Sequence, residues 1–222
     1  MDQTNNLNQN LPGWKVPFHP SVRILAKIVS FVFHPLFIPV YISWFLIYLN
    51  PVFPAFNAWE KLLLLIRFIV MYTVFPLVTV LLARGLGFVD TIHLKTQKDR
   101  IIPYVACGMY YFWMWYVLRN QSEMPPPIID LSLAIFIASS LGLMANSYLK
   151  ISMHAIAVGV MVTFMLLLGL SSGTNLGFYI SIAFLIAGLV CTARLVNADH
   201  WPIEIYGGLF IGIIGQLIAY WV

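Results

Sequence analysis

The chain has 222 residues, of which 61% are hydrophobic and only 9% are charged, and its formal net charge is +4. Soluble domains carry charge on about a quarter of their residues, so this composition excludes a water-soluble globular protein. We therefore expect an integral membrane protein with membrane lipid as a partner and without a nucleic-acid partner.

The beginning of the chain is polar and rich in Asn and Pro, and no small-residue cleavage site follows it. Residues 1–22 are therefore expected to form a mobile or surface-lying tail rather than a signal peptide. The stretches between the later apolar runs are too short to fold alone, so residues 23–222 are expected to form one transmembrane helical domain. Cys107 and Cys191 fall inside apolar runs and do not indicate a disulfide.

Seven apolar segments follow in chain order, close to the 20 or so residues that cross a hydrocarbon layer as a helix. We expect an all-α polytopic bundle of six or seven spans, in which the third and fourth segments are open to a re-entrant or interfacial placement. His34-Pro35 and Pro39 should kink the first segment, with packing as the expected role of these residues. The segments are residues 24–49, 62–83, 101–118, 131–149, 152–170, 176–195 and 203–222.

Residues that break helices or favour turns mark several connections between these segments. In the last segment, Gly208 and Gly212 are four residues apart, a spacing that predicts close approach by another helix. The marked connections are Asn50-Pro51, Gly85-Leu86-Gly87, Pro125-Pro126-Pro127 and Ser171-Ser172-Gly173.

Charged residues are so rare that three polar clusters stand out, each just before an apolar segment. If every segment crosses the membrane, two crossings separate each cluster from the next, so all three lie at one face. The same holds if the third and fourth segments do not cross. The clusters are Lys95, Lys98, Asp99 and Arg100, then Lys150, Ser152 and His154, then Arg194, Asp199, His200 and Glu204.

The spacing within the last cluster suggests chemistry. His200 and Glu204 are four residues apart, and a helix starting near Asp199, with Pro202 in its first turn, places them on one face. A carboxylate hydrogen-bonded to an imidazole fixes its tautomer and leaves the other ring nitrogen free to attack.

The middle cluster predicts a helix start, with Ser152 as the N-cap and His154 in the first turn. Two helix N-termini at one mouth offer free N–H groups and positive dipole ends, which favour a bound phosphate. Arg194 adds a bidentate cation, and Lys95 or Arg100 adds a further positive charge.

These clusters resemble the three motifs of the membrane type 2 phosphatidic acid phosphatase superfamily, K-x6-R-P, P-S-G-H and S-R-x5-H-x3-D. The third motif matches best, at Arg194, His200 and Glu204, with Glu in place of Asp. The second matches at Ser152 and His154 and lacks the Pro and Gly. In the first, the Lys and Pro positions hold Lys95 and Pro103, the Arg position holds Ile102, and the nearest arginine is Arg100.

The resemblance covers the chain from about Lys95 onward and implies the helical core of that superfamily and a phosphatase that needs no metal or other cofactor. It implies that His200 attacks phosphorus, that His154 protonates the leaving alkoxide and later activates water, and that Glu204 orients His200. The implied phosphate ligands are Lys95, Ser152, Arg194 and the amide of Met153, with Arg100 replacing the missing arginine.

The implied substrate is a lipid phosphate or pyrophosphate, of the polyprenyl pyrophosphate, phosphatidic acid or phosphatidylglycerol phosphate type. One alternative is a lipid-phosphate binding or transport protein without turnover, which the substitutions at Ile102, Met153 and Glu204 favour. Another is a structural membrane protein whose charged residues form an interfacial ion-pair network.

We expect the protein in the inner, or cytoplasmic, membrane of a bacterium, and the sequence does not indicate an oligomeric state. The positive-inside rule places the face with the polar clusters in the cytoplasm, whereas the family resemblance favours the other side. Both orientations stay open. The cations counted for the cluster face are Lys15, Arg23, Lys27, Arg84, Lys98 and Lys150, against Lys61 and Arg119.

Overall fold

The computed structural model describes residues 18–89 and 96–222, and the regular structure of these residues is entirely helical. Six helices are long and apolar enough to cross a membrane, which agrees with the predicted all-α polytopic bundle. The helices are α1 (Pro20–Val32), α2 (Ile38–Trp44), α3 (Ala58–Ile69), α4 (Phe75–Gly85), α5 (Gln97–Arg119), α6 (Pro126–Asn146), α7 (Met153–Ser171), α8 (Gly177–Val196) and α9 (Pro202–Trp221).

The first predicted span, residues 24–49, is two separate helices. α1 ends at Val32, and α2 begins at Ile38 and continues through a π-helical stretch to Leu49. The single kinked span was therefore a wrong prediction, because Pro35 lacks a backbone donor and Pro39 fits only the first turn of a new helix. α1 also begins inside the predicted tail, of which residues 1–17 lie outside the described residues.

The second, third and fourth spans are longer than the apolar runs that predicted them, and the last three have the predicted lengths. α3 continues through the π-helical stretch Val70–Val74 into α4, giving a helix of 28 residues. α5 and α6, which correspond to the third and fourth segments, have 23 and 21 residues and are long enough to span. Pro126 and Pro127 were expected to lie in a connection. They form the first turn of α6, because proline suits the first helical turn.

α7 is the central helix, and it packs against α9, α8 and α6. Within its membrane-length window 61% of the residues are buried, against 28% for α5 and α8. Its sequence contains no charged residue other than the titratable His154, as expected for a helix that is apolar all round and surrounded by others. α9 also packs on α6, and α1 packs on α8.

The predicted close approach at Gly208 and Gly212 is confirmed at the crossing of α9 with α7. A Cβ atom on Gly212 would overlap the carbonyl oxygen of Ile156 and lie 3.0 Å from the Cα of Gly159. A Cβ atom on Gly208 would lie 2.7 Å from the carbonyl oxygen of Ser152. The two backbones therefore touch beside the N-terminal ends of both helices.

Candidate active site

The N-terminal ends of α7 and α9 meet at one end of the bundle, beside the first turn of α5. The amide of Ser152 donates to the carbonyl of Glu204 at 3.1 Å. Nδ1 of His200 lies 3.0 Å from the carbonyl oxygen of Lys150. Arg100 in α5 donates through Nη1 to the carbonyl just before Ser152 at 2.8 Å. The three polar clusters therefore lie together, as the crossing argument predicts.

His200 and Glu204 form a buried pair. Nδ1 of His200 is 2.9 Å from Oε2 of Glu204 and also faces the carbonyl oxygen of Lys150. Both partners are acceptors, so Nδ1 carries the proton and Nε2 carries the lone pair. Among the described residues no group donates a hydrogen bond to Nε2. The ring is therefore held in the tautomer of a nucleophile.

The backbone conformation that brings His200 and Glu204 together differs from the predicted one. α9 begins at Pro202 rather than near Asp199, so His200 precedes the helix instead of sharing its face. Trp201 is extended, with φ −73° and ψ 152°, because a residue before proline disfavours helical angles. The Glu204 carboxylate folds back over the helix start, where it accepts from the amide of Trp201 at 3.0 Å and from His200.

The surroundings of His200 favour its neutral form. Burial lowers the pKa of His200 to about 3, and the positive charges of Arg194, Arg100 and Lys150 act in the same direction. At pH 7 the ring is therefore neutral, which is the state that can attack an electrophile.

Ser152 and His154 begin α7 as predicted. Oγ of Ser152 accepts from the amide of Ala155 at 3.4 Å, so Ser152 is the N-cap. Nε2 of His154 lies 3.0 Å from the carbonyl oxygen of Ser30 and therefore carries a proton, which leaves the lone pair on Nδ1. The amide of Met153, at the first helical position, has no carbonyl of its own helix to bind.

Arg194 lies at the outer side of the cluster and forms an ion pair there. Its Nη2 atom is 3.0 Å from Oδ2 of Asp199, and the two side chains are 13% and 51% exposed. Nε of Arg194 is buried and has no hydrogen-bond partner among the described residues. The turn between these residues includes Ala198 at φ 56°, a left-handed conformation that costs a non-glycine residue about 1 kcal/mol.

The two remaining cations that were predicted as phosphate ligands are Arg100 and Lys95. Arg100 is only 4% exposed, and one of its Nη atoms is already bonded to the carbonyl of Ile151. Arg100 therefore helps to hold the α6–α7 connection against α5. Lys95 lies outside the described residues.

Sequence reasoning missed His34, which lies in the break between α1 and α2. Its ring centroid is 5.3 Å from that of His154, with the ring planes at 79°. Nδ1 of His34 accepts from the amide of Leu36 at 3.3 Å. The packing role predicted for His34-Pro35 is therefore incomplete, because the break brings a third imidazole to the cluster. The available signal was a histidine beside a helix-breaking proline inside an apolar segment.

The cluster is closely packed, since Ser152 is 0% and His200 3% exposed. A surface cavity of about 480 Å³ lies at the opposite end of the bundle, where Arg67 donates to Gln121 at 3.2 Å. That cavity contains none of the predicted site residues. The more exposed side chain of the Arg194–Asp199 pair is that of Asp199, at 51%.

Metal ligands of the usual kinds do not gather here. Within residues 18–89 and 96–222, no group of three or more His, Cys, Asp or Glu side chains is arranged to hold a metal ion.

Comparisons with known protein families, with curated proteins and with solved structures find no match to this chain.

Proposed function

We propose that this chain is a membrane phosphatase that hydrolyses a lipid phosphate or pyrophosphate through a phosphohistidine intermediate. The observation that carries the proposal is the environment of His200. Two acceptors, Oε2 of Glu204 and the carbonyl of Lys150, face Nδ1, so the lone pair is on Nε2 of a neutral ring. A carboxylate–imidazole pair beside a guanidinium is suited to nucleophilic attack on phosphorus.

In the first step, Nε2 of His200 forms a bond to phosphorus as the bond from phosphorus to the leaving oxygen breaks. The electron pair leaves on that oxygen, which takes a proton from Nδ1 of His154; this nitrogen is protonated when the phosphate dianion binds. In the second step, water attacks phosphorus and gives its proton to Nδ1 of His154. The phosphorus–nitrogen bond then breaks, and its electron pair returns to His200.

The phosphate is held mainly by Arg194 in this proposal. An entering phosphate replaces the exposed Asp199 carboxylate on Nη2 and brings an acceptor to the unpartnered Nε. The α7 N-terminus adds the Met153 amide and the Ser152 hydroxyl, and the helix dipole favours the negative charge there. Arg100 and Lys95 are the further cations of the proposal.

A lipid substrate suits the surface around this pocket. Trp201 and Ile203, which flank the start of α9, are 49% and 62% exposed. Such apolar side chains at the end of a membrane-spanning bundle face the bilayer, so an acyl or prenyl chain packs beside them while its phosphate enters the cluster. Polyprenyl pyrophosphate, phosphatidic acid and phosphatidylglycerol phosphate all fit this description. The proposed location is the bacterial inner membrane.

The test is phosphate release by the purified protein from those three lipids. We expect turnover of at least one of them, a loss of about 1,000-fold or more in His200→Ala, and a similarly large loss in His154→Ala. The control is His19→Ala, which removes an exposed histidine outside the cluster. Full activity in His200→Ala eliminates the proposed nucleophile.

A second candidate is a lipid-phosphate binding or transport protein without turnover. The observation that favours it is that two expected ligands already have protein partners: Arg194 pairs with Asp199, and Arg100 donates to the carbonyl of Ile151. Binding of a lipid phosphate that is weakened in Arg194→Ala, with no phosphate release by the wild-type protein, supports this candidate over the phosphatase.

A further inference from the structure

The break between α1 and α2 fixes the protonation of two neighbouring imidazoles. At such a break several carbonyl groups lose their helical partners, and in an apolar surrounding they need other donors. His154 donates to the carbonyl of Ser30, the Tyr41 hydroxyl donates to that of Val32 at 2.8 Å, and the Thr73 hydroxyl donates to that of Leu36 at 2.8 Å. The break is thus a bonded structure, which His154 helps to complete.

The same bonds assign the protons on the four ring nitrogens of His34 and His154. Nδ1 of His34 accepts from the Leu36 amide, so its proton is on Nε2. Nε2 of His154 donates to Ser30, so its lone pair is on Nδ1. Three of the four nitrogens therefore either carry a proton or already accept a hydrogen bond. Counting bonds among the described residues, Nδ1 of His154 is the nitrogen of this pair where an added proton displaces no hydrogen bond.

We propose that His34 is a positioning residue for the proton transfer to the leaving group. It stays neutral because the Leu36 amide occupies its Nδ1, and its ring contact 5.3 Å from His154 holds the acid ring at a fixed angle. The mobile proton is thereby confined to Nδ1 of His154. This role rests on the proposed phosphatase function.

The charges around His154 fit this arrangement. The titratable or charged side chains facing it are His34 from the helix break, Arg194 from α8 and His200 from the start of α9. Arg194 is permanently cationic, so an extra proton on His154 is favourable only when a phosphate dianion is bound beside it. The acid is therefore formed with the substrate in place and lost when phosphate departs.

The experiment compares two substrates that differ in their need for an acid. An alkyl phosphate expels a strongly basic alkoxide, whereas a nitrophenyl phosphate expels a weakly basic phenolate that leaves without a proton. Replacing His34 with Phe keeps a flat ring in place and removes the nitrogens. Because His154 also activates water in the second step, the rate to measure is that of phosphohistidine formation in a single turnover. We expect His34→Phe to lower this rate for the alkyl phosphate by roughly 100-fold, because the acid is misplaced, and to leave it close to wild type for the nitrophenyl phosphate.

The matched control is Tyr41→Phe, which removes another hydrogen bond of the same break. It is expected to change both rates by the same factor, with no selectivity between the substrates. An equal loss of both activities in His34→Phe, or no loss of either, overturns the positioning role while leaving the phosphatase proposal intact. A wild-type protein that hydrolyses neither these two substrates nor any of the three lipids overturns both proposals.

Discussion

The two sides of the polar cluster are built from different contacts. On the side of His200, the backbones of α7 and α9 touch through Gly208 and Gly212, and Ser152 bonds directly to Glu204. On the side of His154, the α1–α2 break is closed by side chains that donate to its free carbonyls. The surroundings of His200 are thus held by backbone packing, and those of His154 are held by side-chain hydrogen bonds.

This difference has a consequence for tolerance to substitution. A backbone crossing without intervening side chains has no atoms that can move aside, so an added methyl group displaces the helices themselves. A carbonyl satisfied by a hydroxyl loses one hydrogen bond when the hydroxyl is removed, and the helices stay packed. We therefore expect changes in packing on the α7–α9 side to lower the free energy of unfolding by more than the loss of a hydrogen bond at the break.

On the α7–α9 side, the largest effect of changing a residue other than His200 is expected for Glu204→Ala, which removes the side-chain acceptor for Nδ1 of His200. The tautomer and angle of the ring are then held only by the Lys150 carbonyl, so kcat for a lipid phosphate should fall by about 100-fold. The matched control is Glu60→Ala at the start of α3, where the carboxylate accepts from the Asn57 amide at 2.8 Å in an equivalent helix cap. Equal loss of turnover in the two variants contradicts the orienting role.

Gly212→Ala tests the backbone crossing. Its Cβ atom overlaps the carbonyl oxygen of Ile156, so we expect a decrease of about 1–3 kcal/mol in the free energy of unfolding, measured in detergent. The control is Gly188→Ala in α8, where nothing lies within 4 Å of an added Cβ atom and alanine favours the helix. Equal effects of the two substitutions would show that the backbones of α7 and α9 do not touch at Gly212.

The buried His200 makes stability depend on pH. Its pKa is lowered to about 3 in the folded chain, and an unfolded histidine titrates at about 6.5. Below about pH 6.5 the unfolded state therefore binds the proton first, and the free energy of unfolding decreases as the pH falls toward 3. His200→Gln should flatten this part of the stability curve, whereas replacing the exposed His19 should not. A curve unchanged by His200→Gln shows that the ring is not held neutral.

The smallest effect is expected at the break. Thr73→Val keeps the shape of the side chain and removes the donor to the Leu36 carbonyl, so the free energy of unfolding should decrease by about 1 kcal/mol. A decrease larger than that of Gly212→Ala would reverse the comparison between the two sides.

The sequence predicts the α7–α9 side well because its signals are local. Gly208 and Gly212 lie four residues apart within α9, and His200 lies four residues from Glu204, just before that helix. Counting crossings brings the clusters to one face. The start of α9 was predicted about three residues too early, because the extended conformation before Pro202 outweighs the helical spacing of His200 and Glu204.

The break side was not predicted because its contacts are not local. His34 meets His154, and Ser30 meets His154 across 124 residues, only after α7 has packed against the first helices. The prolines indicate a break, but nothing in the sequence says which donors will satisfy its carbonyls. The ion pair between Arg194 and Asp199 could not be predicted either, because the sequence does not show whether an arginine binds a phosphate or a carboxylate.

The most direct test of the central claim is to trap the covalent intermediate. The wild-type protein is mixed with a radiolabelled lipid phosphate, quenched in base, where phosphohistidine survives, and mapped by mass spectrometry. We predict a phosphoryl group on Nε2 of His200, absent from His200→Ala. Phosphate release with the label on another residue, or undiminished release by His200→Ala, would contradict the proposed mechanism.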